Sequence, residues 1–262
     1  MNRSLVLCAD DFGLSDDINR AILELVRQGR LSATSCMSLM PAWTADAAAQ
    51  LRELETQAAL GVHFNLTEGE QAIPLGKLMQ LSLCGRIDTN RVQSSLEQQL
   101  DRFEHLAGRT PDFVDGHQHI QMFPGIRRIV LTTLVRRYGA DHPWLRVSTP
   151  ALQGHDARFK ALVLRLMGTG FNAQRHRYGV RGNRDFAGMY SLRPDAGFDR
   201  MMRHWLDTLP DGALIMCHPG YASSHSALAR ARDAERAWLA GPRFAAALRD
   251  SGRLLVKQPR LD

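Results

Sequence analysis

The sequence predicts an α/β protein of one domain, built on a mainly parallel sheet. Three observations carry that expectation. Strand-like apolar runs alternate with runs whose apolar residues recur at helical spacing, the pattern of repeated βαβ units. Acids and histidines cluster just past the ends of the strand-like runs, where barrels and doubly wound sheets place their sites. The 262 residues hold no linker, internal repeat or low-complexity tract, and single α/β barrels commonly run about 250 residues.

The elements follow in order. Residues 5–9 are a short buried strand; Asp10 and Asp11 stand where it must end, and Gly13 lets the chain turn. Leu14, Ile18, Ala21, Ile22 and Leu25 repeat at helical spacing, with Asp16 and Asp17 in the first turn and Gly29 as the stop. Residues 33–40 are the next strand, closed by Pro41, and 43–54 a helix. Residues 58–66 are a third strand; 68–90 lack a period and are expected to form a loop. Val92, Leu96, Leu100, Phe103 and Leu106 mark an amphipathic helix. Residues 113–120 are a strand or strand end, 126–135 a helix, 144–147 a short strand, and 159–167 a basic helix. An Arg-rich stretch at 175–184 has little regular pattern and suits a lid or an anion-contacting loop. Phe198, Met201, Met202, Trp205, Leu206 and Leu209 form another helix face; 213–217 is a strand, an Ala/Arg-rich helical region follows, and 254–257 is the last strand.

Composition narrows the class. The hydrophobic fraction of 44% and charged fraction of 23% suit a globular protein with a core of its own. The formal charge of +6 comes almost wholly from Arg, yet no Lys/Arg block, zinc-finger spacing or aromatic RNA-binding motif accompanies it, so no nucleic-acid partner is expected. No two of the four cysteines have CxxC spacing; Cys8, Cys36 and Cys217 sit in apolar runs as small buried hydrophobes. Neither a signal peptide nor a run of roughly 18 apolar residues is visible, and the expected location is the cytoplasm.

Three strand ends offer histidines: His63, His117 with His119, and His218. With the acids of the first strand they suit a divalent cation of borderline hardness, since one carboxylate and two imidazoles leave positions open for water and substrate. Asp10 and Asp11, as neighbours, are expected to point different ways, one to the metal and one to the attacking water. His117 and His119 are two apart, so an extended backbone would turn both to one face; both bind metal, or one binds and the other holds substrate or supports a ligand. Arg146 is a candidate substrate contact and Tyr221 a candidate platform for a sugar ring, whereas Trp144 suits core packing.

The motifs Ala9-Asp10-Asp11-Phe12-Gly13, Gly61-Val62-His63-Phe64-Asn65-Leu66-Thr67, Asp115-Gly116-His117-Gln118-His119 with Met122-Phe123-Pro124, and Met216-Cys217-His218-Pro219-Gly220-Tyr221 together resemble the YdjC-like carbohydrate deacetylases. They span residues 9 to 221. The resemblance implies a single-domain deformed (β/α) barrel related to the polysaccharide deacetylases, and removal of an acetyl group from an N-acetylated sugar. It implies one divalent metal ion held by Asp11, His63 and His117, with Asp10 as base and His218 as general acid; the mixed N/O donors by their chemistry suit Mg or Zn, as they would Co or Mn, and the two imidazoles favour Zn. His119 falls within the motif, and with Arg146 and Tyr221 it is assigned to the substrate. The partner implied is an acetylated amino sugar.

Two other readings use the same residues. One is a barrel metallohydrolase of another substrate class with His117 and His119 as a ligand pair. The other is a carbohydrate-binding or regulatory protein that keeps the pocket without the chemistry. The basic segment 158–167 is read first as an outer barrel helix packing its apolar side inward, with peripheral contact to an anionic membrane as the alternative.

Overall fold

The computed structural model of the protein describes residues 3–222 and 227–262. Among them, eight strands join one sheet: β1 (Arg3–Phe12), β2 (Ala33–Cys36), β3 (Ala59–Phe64), β4 (Phe113–Gly116), β5 (Trp144–Leu145), β6 (Phe186–Ala187), β7 (Ala213–Cys217) and β8 (Arg253–Leu255). The order is β5-β4-β3-β2-β1-β7-β6, with β8 beside the start of β1, and all these pairings are parallel. β1 to β4 and β7 are buried over nearly their whole length, and β1, β3 and β7 accordingly read as mainly apolar runs rather than alternating ones.

Beyond β5 the sheet curls toward its other edge. Leu145 N–H donates to Arg181 O at 2.9 Å, Leu145 bridges Gly182, and the Asn183 side chain joins both backbone groups of Val147 just ahead of β6. This short, side-chain-assisted seam makes the α/β barrel a deformed one. Because the strands are parallel, their C-terminal ends share one rim, and the candidate residues collect there.

Helices cover the outside: α1 (Asp16–Arg27), α2 (Ala45–Arg52), α3 (Leu75–Leu83), α4 (Thr89–Ala107), α5 (Ile126–Tyr138), α6 (Arg158–Met167), α7 (Phe171–Arg177), α8 (Phe198–Thr208), α9 (Ala227–Ala240) and α10 (Pro242–Asp250). α1 shows how local chemistry sets the ends. The Ser15 side chain accepts from Ile18 N–H, Asp16 and Asp17 face the positive end of the helix dipole, and Gly29 closes the other end at φ 65°. Two stacked pairs anchor the helix–sheet interface: Trp43 on Phe103 at 5.5 Å and Trp144 on Phe113 at 4.5 Å.

Four expectations need correction. Residues 68–90 are not all loop, because α3 lies within them; its leucines point several ways and only Leu78 and Ser82 are buried, so no one-sided stripe marks it. The strand expected over 33–40 stops at Cys36. The strand expected over 113–120 stops at Gly116 and passes into a 3-10 turn, His117–Met122. The stretch 175–184 is partly α7, and Arg175 is fully buried, donating to Val180 O and to the carboxylate of Asp262, so its guanidinium is spent inside the fold rather than on a bound anion.

Candidate active site

β1 does not end as a regular strand. It pairs with β2 as Ala9↔Thr34 and next as Phe12↔Cys36, so Asp10 and Asp11 stand opposite Ser35 alone. The extra residue forms a bulge, and Asp11 carries it at φ 72°, a conformation costly outside glycine. A regular strand would send adjacent side chains to opposite faces of the sheet; the bulge re-aims them at one rim, toward different partners. Gly13, at φ 94°, makes the turn, and its N–H donates to Asn19 Oδ1 at 2.6 Å.

Asp11 Oδ1 lies 3.0 Å from His117 Nδ1 and 3.3 Å from His63 Nε2, and those two nitrogens are 3.3 Å apart. First-row cations bound at about 2.0–2.2 Å place neighbouring ligand atoms about 3.0–3.5 Å apart, so this triangle has the spacing of three donors about one divalent ion. The protonation pattern agrees. His63 Nδ1 lies 2.6 Å from Asp115 Oδ1, and a carboxylate only accepts, so the proton sits on Nδ1 and leaves the Nε2 lone pair free. Arg232 Nη2 binds the second Asp11 oxygen. Burial alone would raise the Asp11 carboxyl pKa, but Arg232, His117 and His63 hold it well below the usual range, so it stays an anion.

Asp10 belongs to a separate network. Arg146 grips it with Nη1 on Oδ2 at 2.8 Å and Nη2 on Oδ1 at 2.6 Å, and Ser35 Oγ donates to Oδ1 at 3.2 Å. Arg146 also pairs with Asp115. Burial opposes ionisation of Asp10, yet Arg146, with His63 and His218, keeps its carboxyl below the normal range. Cys8, Asp10 and Asp115 could be taken for another ligand cluster, but the Arg146 guanidinium already sits among them.

His218, just past β7, brings Nε2 to 4.0 Å from Asp10 Oδ2. Burial pushes its pKa down to about 4, against the pull of Asp10 and Asp11. Its backbone N–H donates to Glu235 Oε2 at 2.5 Å, and Tyr190 O–H donates to Glu235 Oε1 at 2.5 Å. Burial raises this Glu235 carboxyl to about 7. α9 therefore supports the site twice, through Arg232 on Asp11 and Glu235 on the His218 backbone.

The remaining expectations divide. His117 and His119 do not share a face as on extended backbone: Gln118 and His119 are left-handed, at φ 53° and 62°. The His119 ring packs edge-on against Phe186 at 5.8 Å, burial lowers its pKa to about 3, and its Nδ1 has no partner among the described residues. Among the described residues His117, not His119, completes the group with Asp11 and His63. Arg146, expected at the substrate, is 1% exposed beneath the rim with its guanidinium held by two carboxylates. The Tyr221 ring is already engaged: Arg20 and Arg236 lie over it at 3.8 and 4.1 Å, and its hydroxyl donates to Glu24 at 2.5 Å. Trp144 packs in the core as expected.

Asp115, Ser35, Arg232 and Glu235 were not singled out by the sequence. Asp115 carried a signal, its place two residues before His117 in the motif. Ser35 carried none, and Arg232 and Glu235 look like ordinary charges on a helix rich in Ala and Arg.

Residues 4–250 match the family described as YdjC-like protein. A carbohydrate deacetylase of Mus musculus is 29% identical over 247 residues, 84% of this chain and 78% of that protein. A chitooligosaccharide deacetylase of Enterobacter sp. (strain 638) is 33% identical over 178 residues, 61% of this chain and 70% of that protein. Among solved structures, a proposed cellobiose-phosphate cleavage protein of Enterococcus faecalis V583 has a TM-score of 0.69 at 20% identity, covering 98% of each chain. A family 4 acetyl xylan esterase of Clostridium thermocellum, solved with a cobalt ion, has a TM-score of 0.52 at 11% identity, covering 97% of this chain and 87% of that one. At these identities the two structures speak for the fold.

Proposed function

This chain belongs to the YdjC-like family, and from that premise we propose that it is a metal-dependent carbohydrate deacetylase, removing the acetyl group from an N-acetylated sugar of an oligosaccharide, glycan or glycolipid. The names of the two relatives support the substrate class. One observation carries the chemistry: two adjacent carboxylates at one strand end serve different networks, Asp11 with His63 and His117, Asp10 with Arg146 and His218.

An amide has a weakly electrophilic carbonyl and a poor leaving group. A divalent cation held by Asp11, His63 and His117 would polarise that carbonyl and lower the pKa of water. Among Mg and Zn, two imidazole donors favour Zn. Asp115 and Arg232 hold the ligands in the required protonation states. Asp10, kept anionic and fixed in orientation by Arg146, accepts a proton from the attacking water. His218 starts neutral, gains a proton during the reaction, and delivers it to the departing amine; such proton transfers are worth about 10²–10⁴-fold. Its Nε2 stands 4.0 Å from Asp10 Oδ2, near enough for a small side-chain movement to connect them. Arg146 thus acts through Asp10, not on the sugar. His119, neutral and with an unpartnered Nδ1, keeps the role of substrate contact.

The test is acetate release from a panel of acetylated oligosaccharides and glycolipids, with and without chelator. Release should stop with chelator and return with added cation. His218→Ala should slow amide cleavage more than cleavage of an activated acetyl ester, whose leaving group needs no proton. Release indifferent to chelator would remove the metal from the mechanism. Failure on every acetylated sugar, with the cation bound, would move the site to another substrate class.

A further inference from the structure

α6 is apolar on two faces. Ala161, Leu164 and Met167 are buried against the barrel, as its pattern predicts. On the opposite side Phe159, Leu162 and Leu166 recur at i, i+3 and i+7 and are 78%, 47% and 65% exposed. Single exposed apolar side chains are ordinary; a row of three large ones on one helix marks an interaction surface. Leu152, also exposed, lies in the preceding loop, which Arg165 Nη1 ties down by donating to Pro150 O at 3.3 Å.

Charge surrounds the row. At 100° per residue, Arg158 and Arg165 flank it on one side and Lys160 lies beyond Val163 on the other, and the helix carries no acid. Asp156, just ahead of it, is taken by the Ser191 N–H and O–H at 2.9 and 2.5 Å.

The helix lies along the same rim as the site. Ser191 follows β6. At the other end, Arg127 Nη1 from the start of α5 donates to Thr169 O at 2.6 Å, and Gly168 sits so close to Met122 that a Cβ there would meet Cε at 2.5 Å. Met122 closes the turn that carries His117 and His119.

We propose that the outward face of α6 is a docking surface for an anionic lipid bilayer. Its chemistry is that of an interfacial helix: bulky apolar side chains enter the boundary between headgroups and acyl chains, and flanking Arg and Lys meet anionic headgroups. A second copy fits poorly, because a two-fold contact through this face would bring its own cations together. The contact is peripheral, since no helix among the described residues is long and apolar enough to cross a membrane. It stands independently of the hydrolytic reading.

The test is flotation of the full chain with vesicles of phosphatidylcholine alone and of phosphatidylcholine mixed with phosphatidylglycerol. The protein should float with the mixed vesicles, weakly or not with the neutral ones, and less as salt rises. Phe159→Ser with Leu166→Ser should weaken binding about tenfold or more. Arg158→Gln with Lys160→Gln should weaken it about fivefold per charge and flatten the salt dependence. All four positions are exposed, so thermal unfolding should match wild type and certify the fold. No binding to anionic vesicles, or binding that survives both double variants, overturns the proposal. Self-association lost in the Phe159→Ser, Leu166→Ser variant without vesicle binding would also overturn it and assign the face to a second copy.

Discussion

Asp10 and Asp11 are adjacent yet live in different electrostatic surroundings, one gripped by Arg146 and the other shared by two imidazoles and Arg232. Replacing Asp10 by Asn should therefore lower kcat by about 10²–10⁴ while the protein keeps its metal, as read by steady-state kinetics and metal analysis. Loss of metal with retained activity would exchange the two roles. Asp115 fixes the His63 tautomer, so Asp115→Asn should weaken metal binding about 10–100-fold in a competitive chelation titration. Glu235 gives a pH test. Its folded pKa is raised from 4.5 to about 7 by burial, so the folded state holds that proton more tightly than the unfolded chain. The stability it contributes is complete below pH 4.5 and is lost as pH rises through about 7. Glu235→Gln, neutral throughout, should flatten thermal stability across that window; an unchanged slope would mean the carboxyl titrates normally. Arg232 and Glu235 were not legible in these roles and Asp115 only through its place in the motif, because all three matter through partners, 52, 221 and 17 positions away for Asp115, Arg232 and Glu235.

Short irregular pieces position the site more than the long elements do. The bulge in β1 ends in the turn at Gly13, where a Cβ would meet Met37 O at 3.0 Å and Trp43 Cβ at 3.1 Å, at φ 94°. Gly13→Ala should cost about 1–3 kcal/mol in denaturant unfolding and loosen the carboxylates it trails. The turn after β4 works in the same way: left-handed Gln118 and His119 break the strand that the sequence suggested and leave His117 alone with Asp11 and His63. Strands and one-sided helices were legible because a short apolar run and an apolar period of 3.6 are local signals. α3 was not, since its leucines surround the axis, nor was the bulge, since two acids before a glycine look the same in a bulge as in an ordinary turn.

At the scale of the molecule, the three donors come from the ends of β1 and β3 and from the turn after β4, so a bound cation would cross-link segments far apart in the chain. Zn or another divalent ion at about 100 times its Kd should stabilise the fold by about 2.7 kcal/mol, seen as a Tm that rises with cation and falls with chelator. Asp11→Asn should abolish most of that response, and a Tm indifferent to cation in wild type would count against the site. By itself the sequence determined the α/β alternation and the chemical character of each strand end. Apolar periodicity is local, and a parallel sheet necessarily gathers its C-terminal ends on one rim. Only the tertiary structure decided which atoms meet there: that Arg146 lies beneath Asp10 and grips it, that Tyr221 carries two guanidinium groups over its ring, and that α6 shows a second apolar face to solvent. The first two depend on contacts between segments far apart in the chain, which no local period records; α6 carries a helical period on both faces, and only its neighbours decide which face is packed.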